Sequence, residues 1–298
     1  MNLHNDINSQ DYSKAVMKIL LTSLAMLAFA ANSLLCRLAL VEEAGVGSID
    51  AASFTSIRLS SGAISLALIL LFRTGNLKPQ RLRPLPVLML FTYAICFSFS
   101  YINIAAGTGA LILFGAVQLT MILYGLIKKE RPGLLVWSGI ILAFAGLIYL
   151  LLPGVSAPPI FNAFLMVIAG IAWGIYSLAG KGVKHPLNST AWNFIGTLPL
   201  VLITYLIFHS DSHLSQHGVV LAILSGALAS ALGYVIWYSA LPYLSATRAA
   251  TVQLTVPIIA AIGGVLLLSE SMTLRLVIAS FAVLGGVYLT ILKPRQLN

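Results

Sequence analysis

Ionisable side chains are what this sequence has least of. Asp, Glu, Lys and Arg make up 8% of its 298 residues, against ~25% in a soluble domain, while 59% are hydrophobic and the mean hydropathy is +0.97. So little charge over this length excludes a soluble fold. The short alternating segments of a membrane barrel are missing too. In their place, apolar runs near the ~20 residues needed to cross a bilayer follow one another with short polar breaks. Only helices satisfy every backbone group inside such runs, so the chain reads as an all-α polytopic membrane protein. Cysteine is scarce: Cys36 and Cys96 lie in apolar runs with neither metal spacing nor a disulfide framework, and read as small packing residues. No metal and no cofactor is expected.

The most telling absence is of acids and histidines within the apolar runs. All eight acidic residues (Asp6, Asp11, Glu42, Glu43, Asp50, Glu130, Asp211, Glu270) fall in tails, in loops or at run ends, as do all five histidines. Proton-coupled pumps keep such groups in the membrane as relays, so a facilitative carrier is expected. An enzyme is not, because the spans offer no general acid or base.

What is present is a regular alternation. Ten spans are expected, at about 17–40, 52–72, 85–105, 107–127, 133–152, 161–181, 190–208, 218–241, 245–268 and 274–292. A polar N-terminal tail, 1–16, precedes them and is expected to fray. Basic residues gather in alternate connections: Arg73, Lys78, Arg81 and Arg83 after span two, Lys128, Lys129 and Arg131 after span four, Lys181 and Lys184 after span six, Arg248 after span eight. The connections between these are nearly free of Lys and Arg. This is a positive-inside bias, which accounts for the net charge of +9 without nucleic acid. It predicts that both termini are cytoplasmic; the expected location is the bacterial inner membrane, as a multi-pass protein.

The chain also repeats itself. Ala106–Glu130 aligns with Ala246–Glu270 at a constant offset: Ala106 with Ala246, Ala110 with Ala250, Leu126 with Leu266, Glu130 with Glu270. The same register pairs Leu134 with Leu274 and Gly146 with Gly286. A second match sets Ala28–Leu34 beside Ala172–Leu178, each followed three residues later by a cation, Arg37 or Lys181. Five spans is an odd number, so the second unit starts on the opposite side. The expected architecture is two inverted five-helix repeats, 17–152 (spans one to five) and 161–292 (spans six to ten). Transporters are built this way, with substrate near the midplane between halves.

Ten spans in two five-span repeats, an A-F/W-x-x-x-S-L opening followed by Arg or Lys, and a stretch Ser245–Glu270 with Pro257 that closes in Glu resemble the drug/metabolite transporter superfamily, in its EamA-type branch. The resemblance covers Met17 to Pro294. The first repeat departs from it in having Val117 where the family often has proline. Members export amino acids and other small metabolites, and aromatic amino-acid exporters are among the relatives. The resemblance therefore implies export of a small metabolite by alternating access. The four-span multidrug relatives hold cationic drugs with a first-span glutamate. Span one here has no acid, which disfavours that activity.

Candidate cavity residues are neutral. Phe29 and Asn32 in span one match Trp173 and Tyr176 in span six. Span three offers Tyr93, Ser98, Ser100, Tyr101 and Asn103, and span eight offers Ser230, Tyr234, Trp237 and Tyr238. An unpaired amide in hydrocarbon costs several kcal/mol, on the order of 4–8 by alkane transfer, so Asn32, Gln118 and Gln253 either join helices or line the cavity. The expected substrate-binding set is Phe29, Asn32, Tyr101, Gln118, Trp173, Tyr176, Trp237, Tyr238 and Gln253. Such a cavity suits a zwitterion met by backbone dipoles. Pro257 is the expected hinge, in mid-span nine. Glu130 and Glu270, at opposite faces, are candidate gates; the plainer alternative pairs Glu130 with Lys128, Lys129 or Arg131, and Glu270 with Arg275. Arg37, Lys181 and Arg248 are expected to snorkel to the interface. Arg58, deeper within SFTSIRLSSG, is equally compatible with the interface and the interior. No set of cations is placed at the midplane for a phosphate. The protein reads as a monomeric exporter of neutral or aromatic amino acids; the alternatives are a carrier of another neutral metabolite or drug-like aromatic, or a channel.

Overall fold

The computed structural model describes residues 3–41, 48–76, 81–127, 133–154, 157–180, 183–240 and 252–291. Among them regular structure is helical throughout: α1 Leu3–Leu40, α2 Ala51–Thr74, α3 Pro84–Tyr101, α4 Ala106–Ile127, α5 Leu134–Leu151, α6 Ile160–Gly180, α7 Pro186–Phe208, α8 Gln216–Ala240, α9 Thr255–Leu268 and α10 Leu274–Ile291. The first eight contain stretches long and apolar enough to cross a membrane, whereas α9 and α10 are shorter apolar helices. Helix α1 begins at Leu3, so the segment expected to fray is helical.

Local chemistry sets the ends. The Asp50 carboxylate accepts from Ser53 N at 2.8 Å and caps α2, which closes on Gly75 in the left-handed region, φ 65°. Ser215 Oγ caps α8 by accepting from Gly218 N at 2.9 Å. Pro84 and Pro186 open α3 and α7 at positions whose N–H would find no partner. The expected ninth span breaks at Leu254, three residues before Pro257. Pro257 thus sits in the first turn of α9 rather than in mid-helix, where its missing donor is harmless.

Large apolar side chains such as Phe72, Leu134, Leu266 and Phe281 point outward and are more than three-quarters exposed, as a lipid-facing surface requires. Inside, α1 packs on α8 and α9, α6 on α3 and α4, α2 on α7, and α5 on α10. Small residues set the closest approaches. A methyl at Gly146 would lie 2.7 Å from Ala282 Cβ, and one at Gly286 would lie 2.5 Å from Ala143 N and 2.6 Å from Gly139 O. Gly146 thus faces the turn of α10 before Gly286, and Gly286 faces the turn of α5 before Gly146, so α5 and α10 run antiparallel. Gly170 and Gly174 seat α6 against Leu113–Thr120 of α4 in the same way.

Candidate functional site

Where α1, α3, α4, α6 and α8 converge, a small cavity is lined by Phe29, Asn32, Ser33, Tyr93, Phe97, Leu113, Phe114, Trp173 and Tyr234. Its free space is about 20 Å³, room for roughly one water. The wall is a continuous set of rings. Phe29 meets Trp173, Tyr234 and Trp237 edge-on at 6.4, 6.1 and 5.9 Å; Trp173 lies 4.8 Å from Tyr93, 5.1 Å from Tyr234 and 5.4 Å from Tyr176. Edge-to-face and offset arrangements of this kind add to the stabilisation from burial alone.

The polar floor is tied to a distorted stretch of α8. Ser225–Leu232 is wound as a π-helix, whose i→i+5 bonding widens the turn and brings Ser225 and Ser230 towards one side. Ser225 Oγ donates to Asn32 Oδ1 at 2.5 Å, and Asn32 Nδ2 donates to Tyr93 Oη at 3.4 Å. Arg58 completes the set. It is 2% exposed, donates from Nη2 to Tyr93 Oη at 3.0 Å and from Nε to Ser230 Oγ at 3.4 Å, and its guanidinium carbon lies 4.8 Å from the Phe97 ring centre and 5.2 Å from that of Tyr93. The close approach of α2 that places it needs Gly226, where a side chain would collide with Arg58 O and Ser61 Oγ.

The expected binding residues divide into those at the cavity and those elsewhere. Phe29, Asn32 and Trp173 line it; Tyr176 and Trp237 stack behind its wall. Tyr176 accepts from Asn193 Nδ2 at 3.4 Å. Tyr101 is buried under Phe97 and against Gly109, and donates to Ala106 O at 3.3 Å, which makes it part of the α3–α4 corner. Gln118 is buried on α4 outside the lining, Tyr238 packs near Gly180, and Gln253 lies just before the break at Leu254. Tyr93, Phe97, Tyr234 and Ser225 belong to the site although the expected binding set omits them. Their signal is the run of Ser, Gly and aromatic residues in spans three and eight. The cavity is also not free of charge: Arg58 stands directly behind Tyr93.

One face of the bundle carries a second polar cluster. Glu270 follows Ser269, whose left-handed φ of 49° turns the chain back after α9. The carboxylate accepts from Ala106 N, in the first turn of α4, at 2.8 Å (Oε2) and 3.1 Å (Oε1), and from Arg37 Nε at 3.2 Å. Arg37 Nη1 also donates to Tyr101 O at 2.8 Å and Ile102 O at 2.6 Å. The side chains of Arg37 and Glu270 are only 18% and 12% exposed, so Arg37 is a bound partner rather than a snorkelling cation. Arg275, the simpler partner for Glu270, instead donates to Leu152 O at 2.6 Å. Two further ties close the same face: Asn103 Nδ2 donates to Asn162 Oδ1 at 3.4 Å, and Asp50 Oδ2 accepts from His213 N at 3.1 Å. Glu130, Lys181 and Arg248 lie outside the described residues.

Known proteins agree with a transporter. Residues 160–292 match the model of the EamA-like transporter family. An uncharacterized protein of Pseudomonas aeruginosa is 52% identical over 93% of this chain and 95% of its own. An uncharacterized transporter of Archaeoglobus fulgidus is 27% identical over 93% of this chain and 98% of its own. A probable amino-acid metabolite efflux pump of Salmonella typhimurium is 24% identical over 69% of this chain and 77% of its own. One crystal structure superposes with a TM-score of 0.68 over 94% of this chain and 98% of that one at 15% identity, a likeness of fold alone. With helices of membrane-spanning length and homologous transporters over most of its length, the chain is a multi-pass membrane protein and belongs to the EamA-like transporter family.

Proposed function

We propose that this protein is an inner-membrane carrier that exports neutral or aromatic amino acids, or closely related metabolites, by facilitative alternating access. The observation that carries this reading is the ring-walled cavity between α1, α3, α4, α6 and α8, which draws its lining from both expected repeats. It is closed around about 20 Å³, too small for any amino acid, so a substrate enters only when one side of the wall parts. The name of the Salmonella relative, a probable amino-acid metabolite efflux pump, supports the substrate class.

Inverted repeats give the motion its form. Exchanging α1 with α6, α3 with α8 and α4 with α9 turns the packing of α1 on α8 and α9 into that of α6 on α3 and α4, which supports this reading. The antiparallel contact of Gly146 and Gly286 is reciprocal, as expected at a pseudo-two-fold axis. On this reading the Arg37–Glu270 cluster is the closed gate of one face, the periplasmic one under the positive-inside bias, and the break at Leu254 before Pro257 is the hinge that lets α9 leave α1. The spans hold no acid or histidine for a proton relay, which supports facilitated transport.

Purified protein in liposomes tests this by counterflow of labelled phenylalanine, with and without an imposed proton gradient. Saturable counterflow that ignores the gradient is the expected result. Gradient-driven uptake refutes the facilitative mechanism, and unsaturable flux refutes a carrier in favour of a channel.

A further inference from the structure

Among the described residues Arg58 is the largest fully buried side chain, and no carboxylate of theirs pairs with it. Arginine stays protonated in proteins, so a full charge is held here. Its partners are neutral: a tyrosine hydroxyl, a serine hydroxyl and two ring faces. Burial without a counter-ion is expensive, and the donor inventory is incomplete as well, since Nη1 has no hydrogen-bond partner among the described residues. A second orphan lies close by. Tyr234 lines the cavity and its buried hydroxyl has no partner among the described residues. It stands four residues after Ser230, the acceptor of Arg58 Nε, on the same face of α8. One donor without an acceptor, the Tyr234 hydroxyl, thus belongs to the cavity lining, and a second, charged one, Arg58 Nη1, stands directly behind Tyr93.

We propose that Arg58 Nη1 and the Tyr234 hydroxyl form the carboxylate subsite of the cavity, and that the transported molecule is a monocarboxylate with an apolar or aromatic body. This deepens the amino-acid reading and rests on the same cavity. The rings of Phe29, Trp173 and Tyr93 take the apolar body. The carboxylate takes the guanidinium once the wall around Tyr93 parts. No acidic side chain lines the cavity to receive an ammonium group, and a substrate ammonium beside Arg58 is repelled by it. The α-amino group is therefore dispensable, whereas the carboxylate is required. A phosphate is a poorer fit, because none of the described lining residues is a cation that could join Arg58.

The test is competition against phenylalanine counterflow by 3-phenylpropionate, which lacks the amino group, and by phenethylamine, which lacks the carboxylate. Binding of both compounds is followed in parallel on purified protein by thermal shift. The acid is expected to compete and to stabilise the protein at least about tenfold more strongly than the amine, since a hydrogen bond to a charged group is worth ~1.5–3 kcal/mol. Tyr234→Phe keeps the ring wall and is expected to weaken the acid about 5–10-fold with little change for the amine. Arg58→Gln is expected to weaken the acid ~30-fold or more, with partial rescue by Arg58→Lys. A purely structural role moves acid and amine together and shows no rescue. If the amine equals the acid, if neither compound binds, or if Tyr234→Phe leaves the ratio unchanged, the proposal is overturned. If the acid binds but phenylalanine is not transported, the amino-acid reading fails while the carboxylate subsite stands.

Discussion

Glu270→Gln isolates the charge of the gate with almost no change of shape. In the closed face the carboxylate accepts from Ala106 N through both oxygens and from Arg37 Nε, with both side chains mostly shielded from solvent. A hydrogen bond to a charged group contributes ~1.5–3 kcal/mol against ~1 for a neutral one. The amide keeps one acceptor oxygen, so the loss is the difference, ~0.5–2 kcal/mol. Losing a negative charge at the N-terminus of α4 removes a further ~0.3–1 kcal/mol. Arg37 is not stranded, because Tyr101 O and Ile102 O still receive it. About 2 kcal/mol applied to the closed state alone shifts the closed-to-open ratio ~30-fold at 1.4 kcal/mol per decade. The assay replaces the native Cys36 and Cys96, places a single cysteine at the cavity residue Ser33, and measures its labelling by a membrane-impermeant maleimide from the Glu270 face. Glu270→Gln is expected to raise that rate by about 10–30-fold. Arg275→Gln, on the same face but bonded to Leu152 O, leaves it unchanged. Equal labelling in wild type and Glu270→Gln, or an equal rise with Arg275→Gln, refutes the gate.

Four other outcomes follow from the packing and the backbone. Gly286→Ala puts a methyl 2.5 Å from Ala143 N and 2.6 Å from Gly139 O, backbone atoms that cannot rotate away, so thermal unfolding in detergent should show a loss of ~1–3 kcal/mol. Gly285→Ala, whose added methyl meets nothing within 4 Å, should match wild type. Ser225→Ala leaves Asn32 Oδ1 buried without its 2.5 Å donor and should cost ~1–3 kcal/mol in the same assay. Ser269→Gly relieves a left-handed residue at the end of α9 and should stabilise the fold by ~1 kcal/mol, read as a higher unfolding temperature.

The division between what the chain announces and what it conceals has a physical cause. Hydropathy and run length are local quantities, so the membrane class, the helices and the transporter family are legible residue by residue. Repetition of Ala106–Glu130 in Ala246–Glu270 is legible too, because similarity needs no coordinates. Part of the cavity is visible for the same reason: Phe29, Asn32 and Trp173 stand out as aromatic or amide side chains in matched segments. Which face of a helix turns inward is not legible. Lipid is as apolar as the protein core, so a membrane helix carries little of the two-sided pattern that marks a buried face in water. Arg58 is therefore ambiguous in sequence and unambiguous in the structure, where Tyr93, Phe97 and Ser230 surround it. The partner of Glu270 shows the same limit. Arg275 is five residues away and Arg37 is 233, yet Arg37 is bonded, because the left-handed turn at Ser269 aims the carboxylate back at α4 and α1. Composition decides what kind of molecule this is; only the packing of distant helices decides which charge meets which.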